Sequence, residues 1–239
     1  MPAPRREKLS DLELLQRLKD LSWLSAAQAK ELTLAMAVRS VKRNGVIFQE
    51  LGKPSSDAHI LLSGAAQLSH LNGNGPRVVA MMMPGIVFRL PQMPSEVGHN
   101  FEWVALEDCR VGRLPLQRYV GITLGVDYET YARIAEPAAS RLGRILARYP
   151  SFVGFALLQR VAVALIELAS EFGVQDHRGV VLGIAPTHRQ LADLVGASRP
   201  KVSEVMNDLQ RRKALSREGR KLTVMVKRLE AIALDGANG

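Results

Sequence analysis

Residues 187–212 read Thr-His-Arg-Gln-Leu-Ala-Asp-Leu-Val-Gly-Ala-Ser-Arg-Pro-Lys-Val-Ser-Glu-Val-Met-Asn-Asp-Leu-Gln-Arg-Arg. The pattern predicts two short amphipathic helices, because apolar residues recur at three- and four-residue spacing on both sides of Gly196. Glycine is the residue expected where a helix ends in a left-handed conformation. Ser198 is the predicted cap of the second helix, and Pro200 lies in its first turn, where a missing N–H costs nothing. The stretch therefore predicts a helix-turn-helix whose second helix has the size to enter a major groove.

The sequence on either side completes a winged helix. Residues 214–226 form two short apolar runs joined at Glu218-Gly219, which predicts a β-hairpin, and residues 180–184 are a candidate third strand. Between Thr187 and Arg228 there are 11 Lys and Arg against 4 Asp and Glu, in a chain whose formal net charge is +9. This concentration of positive charge favours DNA binding over a helical hairpin with a solvated face.

The bulk composition excludes several classes of protein. With 239 residues, the chain has the length for one large or two modest domains. We find no apolar run of about 18 residues to span a bilayer and no apolar N-terminal signal peptide, so we expect a cytoplasmic protein with no membrane partner. The one cysteine, Cys109, excludes an internal disulfide and an iron–sulfur cluster within one chain. We expect Cys109 to be a buried apolar residue rather than a redox switch.

The rest of the chain divides into helical and strand-like segments. Residues 9–34 have helical periodicity, with Ser25 the predicted cap of a second short helix. From residue 38 to residue 114, short β-rich runs alternate with Gly, Pro and Asn, which predicts a small antiparallel barrel or roll. Residues 126–149 return to a helix with an apolar stripe close to heptad spacing, which is typical of a helix that pairs with its twin. Pro137 lies inside this helix and should kink it. The stripe comprises Tyr131, Ile134, Ala135, Ala138, Leu142, Ile145 and Leu146.

In this order of elements, the chain resembles the Crp/Fnr family of bacterial transcription regulators over nearly its whole length. Residues 187–199 follow the family's T-R-Q-x-I-A-x-x-V-G-x-S-R run with one extra residue after Thr187, and looser matches lie at residues 60–64, 84–85 and 103–109. The resemblance implies an α+β fold with three parts. These are N-terminal helices and a cyclic-nucleotide-binding-like antiparallel β-roll sensor (1–125), a long central dimerisation helix (126–149) and a C-terminal winged helix-turn-helix (150–239).

The resemblance also implies partners and DNA-contacting residues. The family is homodimeric and binds approximately palindromic double-stranded DNA, with RNA polymerase a further partner if the protein activates transcription. Arg199 and Glu204 fall where the family reads base edges, since Arg suits guanine and Glu can accept from cytosine, and Ser203 is a third candidate. Pro200 replaces a polar reader of many members, so we expect that contact to be missing. Candidate phosphate contacts are Arg189, Ser198, Lys201, Arg217, Arg220 and Lys221.

The sensor half departs from the cyclic-nucleotide-binding members. Those members carry Gly-Glu after a Pro-Gly turn and an Arg-Ser or Arg-Thr pair a dozen residues later, to hold the ribose hydroxyl and the phosphate. Here Pro84-Gly85 is followed by Ile-Val-Phe-Arg-Leu-Pro-Gln-Met, and His99-Asn100 stands where Arg-Ser would be. We therefore do not expect cAMP in the usual pose. An altered nucleotide pocket stays open, with candidate residues Arg89, His99, Asn100, Ile145 and Leu146.

Haem binding and metal-dependent catalysis would each require specific ligand residues in the roll. A haem sensor needs axial ligands, and the candidates His59, His70, His99 and Met81–Met83 lack diagnostic spacing. A metal-dependent enzyme on the roll would need a His-x-His pair and a carboxylate; the chain has no His-x-His, so we expect no metal site and no enzyme. A protein-interaction module whose winged helix no longer reads DNA is the remaining alternative. We therefore expect a regulator whose β-roll takes an unidentified signal or none, with the operator, the target genes and the choice between activation and repression left open.

Overall fold

A computed structural model of the chain describes residues 9–51, 56–73, 75–85, 100–123, 154–219 and 221–234. The chain divides into two compact units, Met1–Pro76 with Met81–Ala138 and Arg77–Ala80 with Ala139–Gly239. The first unit holds short helices and a β-roll, and the second holds a winged helix. The fold is therefore α+β, as predicted.

Two short α-helices separated by a 3-10 turn precede the roll. These elements are α1 (Asp11–Gln16), the 3-10 turn (Lys19–Leu21) and α2 (Ala26–Ala35). Each α-helix begins at a serine capping box, because Ser10 Oγ accepts the Glu13 N–H at 3.3 Å and Ser25 Oγ accepts the Gln28 N–H at 3.2 Å. The predicted helical character of residues 9–34 and the cap at Ser25 are confirmed, although the helix is broken into pieces.

In the described part of the chain, seven strands form the roll as two sheets. One sheet has the order β1 (Ala37–Val41), β7 (Cys109–Pro115), β3 (Asp57–Ser63); the other has the order β2 (Val46–Leu51), β6 (Asn100–Ala105), β4 (Ala66–Asn72), β5 (Gly75–Met82). The pairings of β7 with β1 and β3, and of β6 with β2 and β4, are antiparallel. Helix α3 (Leu116–Thr123) follows β7, and its Ile122 packs with Leu15, Leu32 and Ile60 in one core. The predicted antiparallel roll is confirmed.

A tight connection at Gly64 joins β3 to β4. Gly64 has φ +93°, and a Cβ there would lie 2.7 Å from Cys109 Sγ and 2.8 Å from the Asp108 carbonyl oxygen. The Cys109 thiol is buried and donates to the Ala65 carbonyl at 3.2 Å. Burial is the largest cause that raises the pKa of the Cys109 thiol, so the thiol is neutral at neutral pH. The prediction that Cys109 is buried is confirmed.

We expect Gly64→Ala to destabilise the roll more than Gly75→Ala. Both glycines have nearly the same positive φ, +93° and +92°, but a Cβ at Gly75 would meet nothing within 4 Å. Gly75→Ala should therefore cost only backbone strain, about 1–2 kcal/mol, whereas overpacking at Gly64 adds roughly another 1–3 kcal/mol. Both tryptophans of the chain, Trp23 and Trp103, lie in this unit, so urea unfolding followed by tryptophan fluorescence measures the difference. Equal losses in the two variants would contradict the expectation.

The second unit has the connectivity of a winged helix. Its elements are α4 (Leu157–Phe172), β8 (Gly173–Asp176), β9 (Gly179–Leu182), α5 (His188–Leu194), α6 (Arg199–Arg211), β10 (Leu215–Glu218), β11 (Lys221–Val224) and α7 (Val226–Leu234). The strands form one antiparallel sheet of order β10-β11-β9-β8. The predicted helix-turn-helix, hairpin and third strand are confirmed, and β8 is a fourth strand that the sequence did not indicate.

The inner face of α4 anchors this unit. Val161 and Leu165 are fully buried, and α4 packs against α7 and α6. Gln159 is buried too, but its polar atoms are satisfied: Nε2 donates to the Ala233 carbonyl at 3.2 Å, and Oε1 accepts the Ala156 N–H at 2.9 Å. Burial of an amide without such partners would be costly. The start of α4 is therefore tied to the end of α7.

Several predicted residues lie outside the described ranges. They include the central helix 126–149 with its dimer stripe Tyr131, Ile134, Ala138, Leu142 and Ile145, the pocket candidates Arg89, His99 and Leu146, and the wing residue Arg220. Asn100 is described; it begins β6 and is exposed opposite Leu51. No helix in the described ranges is both long and apolar enough to cross a membrane.

Candidate nucleic-acid interface

Helix α5 begins and ends at two well-defined caps. At its start, Thr187 Oγ1 accepts the Gln190 N–H at 3.2 Å, and Gln190 Oε1 accepts the Thr187 N–H at 2.8 Å. At its end, Gly196 has φ +62°, its N–H donates to the Asp193 carbonyl, and the Ala197 N–H donates to the Ala192 carbonyl at 2.9 Å. This is a Schellman motif, which directs the chain from α5 into α6.

The start of α6 differs from the prediction in one detail. Ser198 occupies the N-cap position, but its side chain makes no capping hydrogen bond. An N-cap oxygen normally accepts from the second or third helical N–H, and the second helical residue is Pro200, which has none. The prediction that Ser198 caps α6 through its side chain is therefore wrong. Its exposed hydroxyl is available for a ligand instead.

The two faces of α6 have opposite character. Val202, Met206 and Leu209 are buried, with Val205 half-buried beside them. The exposed polar side chains of the helix include Arg199, Lys201, Glu204 and Asn207. The apolar anchor holds the helix while its polar face is presented to solvent, which is the arrangement of a recognition helix.

The end of α6 is fixed by backbone contacts. Lys213 adopts φ +55°, and the Ala214 N–H donates to the Leu209 carbonyl at 2.9 Å. Arg228 Nη1 of α7 donates to the Lys213 carbonyl at 3.0 Å, which satisfies an acceptor at the helix end. The last turn also carries Asp208, whose carboxylate pairs with Arg211 at 3.1 Å and Arg212 at 2.8 Å. The rigid end of α6 thus leads directly into the wing.

The cations at the other end of α6 and on the wing are less compensated. Within the described part of the chain, Arg199, Lys201, Arg217 and Lys221 are exposed and form no ion pair. Arg189 is an intermediate case, since its Nε lies 3.5 Å from Asp193 Oδ1. Cations without a protein partner favour an anionic ligand, because no existing pair has to be broken.

An ion pair links the wing to the turn between β8 and β9. Glu218, at the end of β10, accepts from Arg178 Nη1 at 2.6 Å, and Arg178 lies in the turn between β8 and β9. Both side chains are more than half exposed, so solvent screens their attraction. The pair neutralises Glu218, which would otherwise stand among the cations of the wing.

A contact between α5 and α6 was missed by the sequence analysis. His188 Nδ1 lies 2.8 Å from Ser203 Oγ, and Ser203 Oγ donates to the Arg199 carbonyl at 3.0 Å. Burial is the largest cause that lowers the pKa of His188, followed by the positive charges of Arg217 and Arg199. Residues 188 and 203 lie 15 positions apart on different helices, so no local spacing could have paired them.

The candidate haem ligands of the roll have aromatic neighbours. The His59 ring is buried and stacks on Phe48, with ring centroids 4.1 Å apart, and His70 packs edge-on against Phe101 at 5.0 Å. Met81 is buried, and Met82 and Met83 are half-buried. Among the described residues, no group of three or more His, Cys, Asp or Glu could hold a metal ion.

Known proteins share both the winged helix and the whole fold. The Crp-like helix-turn-helix domain family matches residues 159–233, which run from the first turn of α4 to the last turn of α7. A global nitrogen regulator of Nostoc sp. strain PCC 7120 is 24% identical over 190 residues, which cover 78% of this chain and 84% of that protein.

Two solved structures have the same fold. A CRP/FNR-family transcriptional regulator of Thermus thermophilus has a TM-score of 0.61 at 24% identity, covering 84% of this chain and 100% of the other. FixK2 of Bradyrhizobium japonicum has a TM-score of 0.66 at 21% identity, covering 82% and 96%. Residues 159–233 thus belong to the Crp-like helix-turn-helix domain family, and the chain has the fold of Crp/Fnr-type transcription regulators.

Proposed function

We propose that the protein is a homodimeric, sequence-specific regulator that places α6 of each subunit in the major groove of an approximately palindromic DNA site. The observation that carries the proposal is the two-sided character of α6. Its apolar face is buried in the winged helix, and its outer face exposes Arg199, Lys201 and Glu204, of which the two cations have no ion pair in the described ranges. A rigid helix with exposed donors and acceptors is suited to reading base edges.

The proposed base readers are Arg199 and Glu204. Arg199 is the first residue of α6, and recognition helices contact bases through their N-terminal residues. Its guanidinium suits a bidentate contact with guanine, and the Glu204 carboxylate suits the cytosine amino group. Ser203, the third predicted reader, already donates its hydroxyl proton to the Arg199 carbonyl, so we assign it to holding the helix start rather than to reading.

The proposed phosphate contacts surround these readers. Lys201 and Ser198 lie at the exposed start of α6, and Arg189 is in the first turn of α5. In the wing hairpin, Arg217 lies opposite Leu222 and Lys221 lies opposite Glu218. Arg220 is proposed on its sequence position alone. Contacts of this kind set the register of the protein on DNA without reading its sequence.

The proposed dimer contact is the central helix 126–149, and the proposed input is the β-roll. A signal there would alter the packing of the roll on the central helix and so the spacing of the two recognition helices. We propose that the signal is not cAMP in its usual pose, because Ile86 and His99-Asn100 stand where the family's nucleotide-binding residues would be. The alternatives are a haem signal, an altered nucleotide, or regulation without a ligand.

Selection from a random-sequence DNA pool tests the proposal. The purified full-length protein should enrich a sequence with approximate two-fold symmetry and half-sites about one helical turn apart. Its mass in sedimentation should be that of a dimer. Even recovery of all sequences by a protein with native circular dichroism would contradict sequence-specific binding. Mass spectrometry and an absorption spectrum of the native protein then test haem and bound nucleotide together.

A further inference from the structure

One ring nitrogen of His188 forms a hydrogen bond with Ser203, and the other forms none among the described residues. Nδ1 contacts Ser203 Oγ at 2.8 Å, and the single hydroxyl proton of Ser203 is directed to the Arg199 carbonyl at 3.0 Å. Nδ1–H is therefore the donor in the His188–Ser203 contact. Nε2 has no hydrogen-bond partner among the described residues. It is a lone-pair acceptor in the neutral ring and an N–H donor in the protonated ring.

The charges that face this ring are positive. Arg199 approaches from α6 and Arg217 from the wing strand β10, and their positive charges lower the pKa of His188 in addition to the effect of burial. No carboxylate in the described part of the chain pairs with His188. In the free protein the ring is therefore neutral at neutral pH.

We propose that His188 is a DNA-phosphate contact that takes up a proton when DNA binds. The inference rests on the proposed function, because it places a phosphate between Arg199 on the recognition helix and Arg217 on the wing. A phosphate at that point offsets the repulsion from the two guanidinium groups and favours the imidazolium form. The protonated ring donates Nε2–H to the phosphate oxygen while Nδ1–H stays on Ser203.

Proton uptake makes DNA affinity depend on pH in a defined direction. The pKa of His188 lies below the ordinary value in the free protein, and phosphate raises it in the complex. Between these two values binding consumes a proton, so affinity increases as pH falls, by up to about tenfold per pH unit for each histidine. Above the pKa of the complex and below that of the free protein, the affinity ceases to depend on this group.

Fluorescence anisotropy of labelled duplexes from about pH 5.5 to about pH 8.5 tests the proposal. Two probes are used, the duplex enriched from the random pool and a random-sequence duplex at low salt, because a phosphate contact acts on both. His188→Asn keeps a side-chain donor for Ser203 but does not titrate in this range. His177→Asn is the matched control, since His177 lies on the β8–β9 turn of the same unit with its side chain 77% exposed.

We expect the wild type and His177→Asn to gain affinity as pH falls, whereas His188→Asn stays nearly flat. Equal pH slopes in the wild type and His188→Asn, or a flat wild type, would overturn the proton coupling. Failure to enrich any duplex would overturn the proposed sequence specificity instead, and the random duplex would still report the phosphate contact. NMR titration of the His188 imidazole in the wild type avoids reliance on a variant. A pKa that DNA leaves unchanged would overturn the proposal.

Discussion

Arg199→Ala is expected to abolish most of the preference for the enriched DNA site while leaving the fold intact. The side chain is exposed at the first residue of α6, and it forms no ion pair within the described residues, so its removal opens no cavity and leaves no buried charge. The hydrogen bond at this helix start does not depend on the Arg199 guanidinium, because Ser203 Oγ donates to the Arg199 backbone carbonyl.

The size of the effect follows from the chemistry of a bidentate arginine–guanine contact. Each such contact is worth roughly 1–3 kcal/mol of discrimination, and a dimer loses it in both half-sites, so the enriched duplex should bind roughly 30-fold to 10⁴-fold more weakly. Competition between the enriched and random-sequence duplexes measures this directly. The random-sequence duplex should lose little affinity.

Lys201→Ala is the matched control on the same exposed face. Its loss should weaken both duplexes by a similar factor and reduce the salt dependence of binding, since a phosphate contact releases counterions but reads no base. If Arg199→Ala also weakens both duplexes equally, Arg199 is a phosphate contact and the proposed reading role is wrong.

Local signals explain why the helix-turn-helix could be predicted from sequence. The stop at Gly196 and the three- and four-residue spacing of Val202, Met206 and Leu209 act within one or two turns of helix, and the structure has them as expected. The cap at Ser198 failed for a reason that is also local, because Pro200 removes one of the two N–H groups that the serine could bond. Whether a serine caps a helix therefore depends on the residues that follow it as well as on its own propensity.

Features that depend on distant contacts could not be predicted. The strands of the roll were marked by Gly, Pro and Asn breaks, but nothing in the sequence indicated that β7 lies between β1 and β3. Strand β8 was missed because Gly173–Asp176 has no apolar run, and it is held as an edge strand by pairing with β9. The His188–Ser203 contact likewise requires the packed α5–α6 pair.

Leu209→Ala should destabilise the winged helix by about 2–5 kcal/mol, the cost of a leucine-sized cavity in a well-packed core. The Leu209 side chain has no solvent exposure, and it lies on the inner face of α6 in the turn that leads to the wing. Gln210→Ala is the matched control, because residue 210 is its exposed neighbour on the same helix. Thermal unfolding followed by helical circular dichroism and hydrogen exchange across residues 199–215 measures the loss.

Arg199→Ala and Leu209→Ala should both impair DNA binding, but for different reasons. Comparing them therefore separates the loss of base reading from the loss of folding. Trp23 and Trp103 both belong to the first unit, so a local loss in the winged helix leaves their fluorescence unfolding curve nearly unchanged. Leu209→Ala should then lose binding as temperature rises and keep the sequence preference of the fraction that remains folded. Arg199→Ala should lose the preference at every temperature, with wild-type hydrogen exchange in α6. Leu209→Ala could also weaken the preference for the enriched DNA site at low temperature, where the protein is folded. In that case the packing of the inner face of α6 also determines how its outer face contacts the bases.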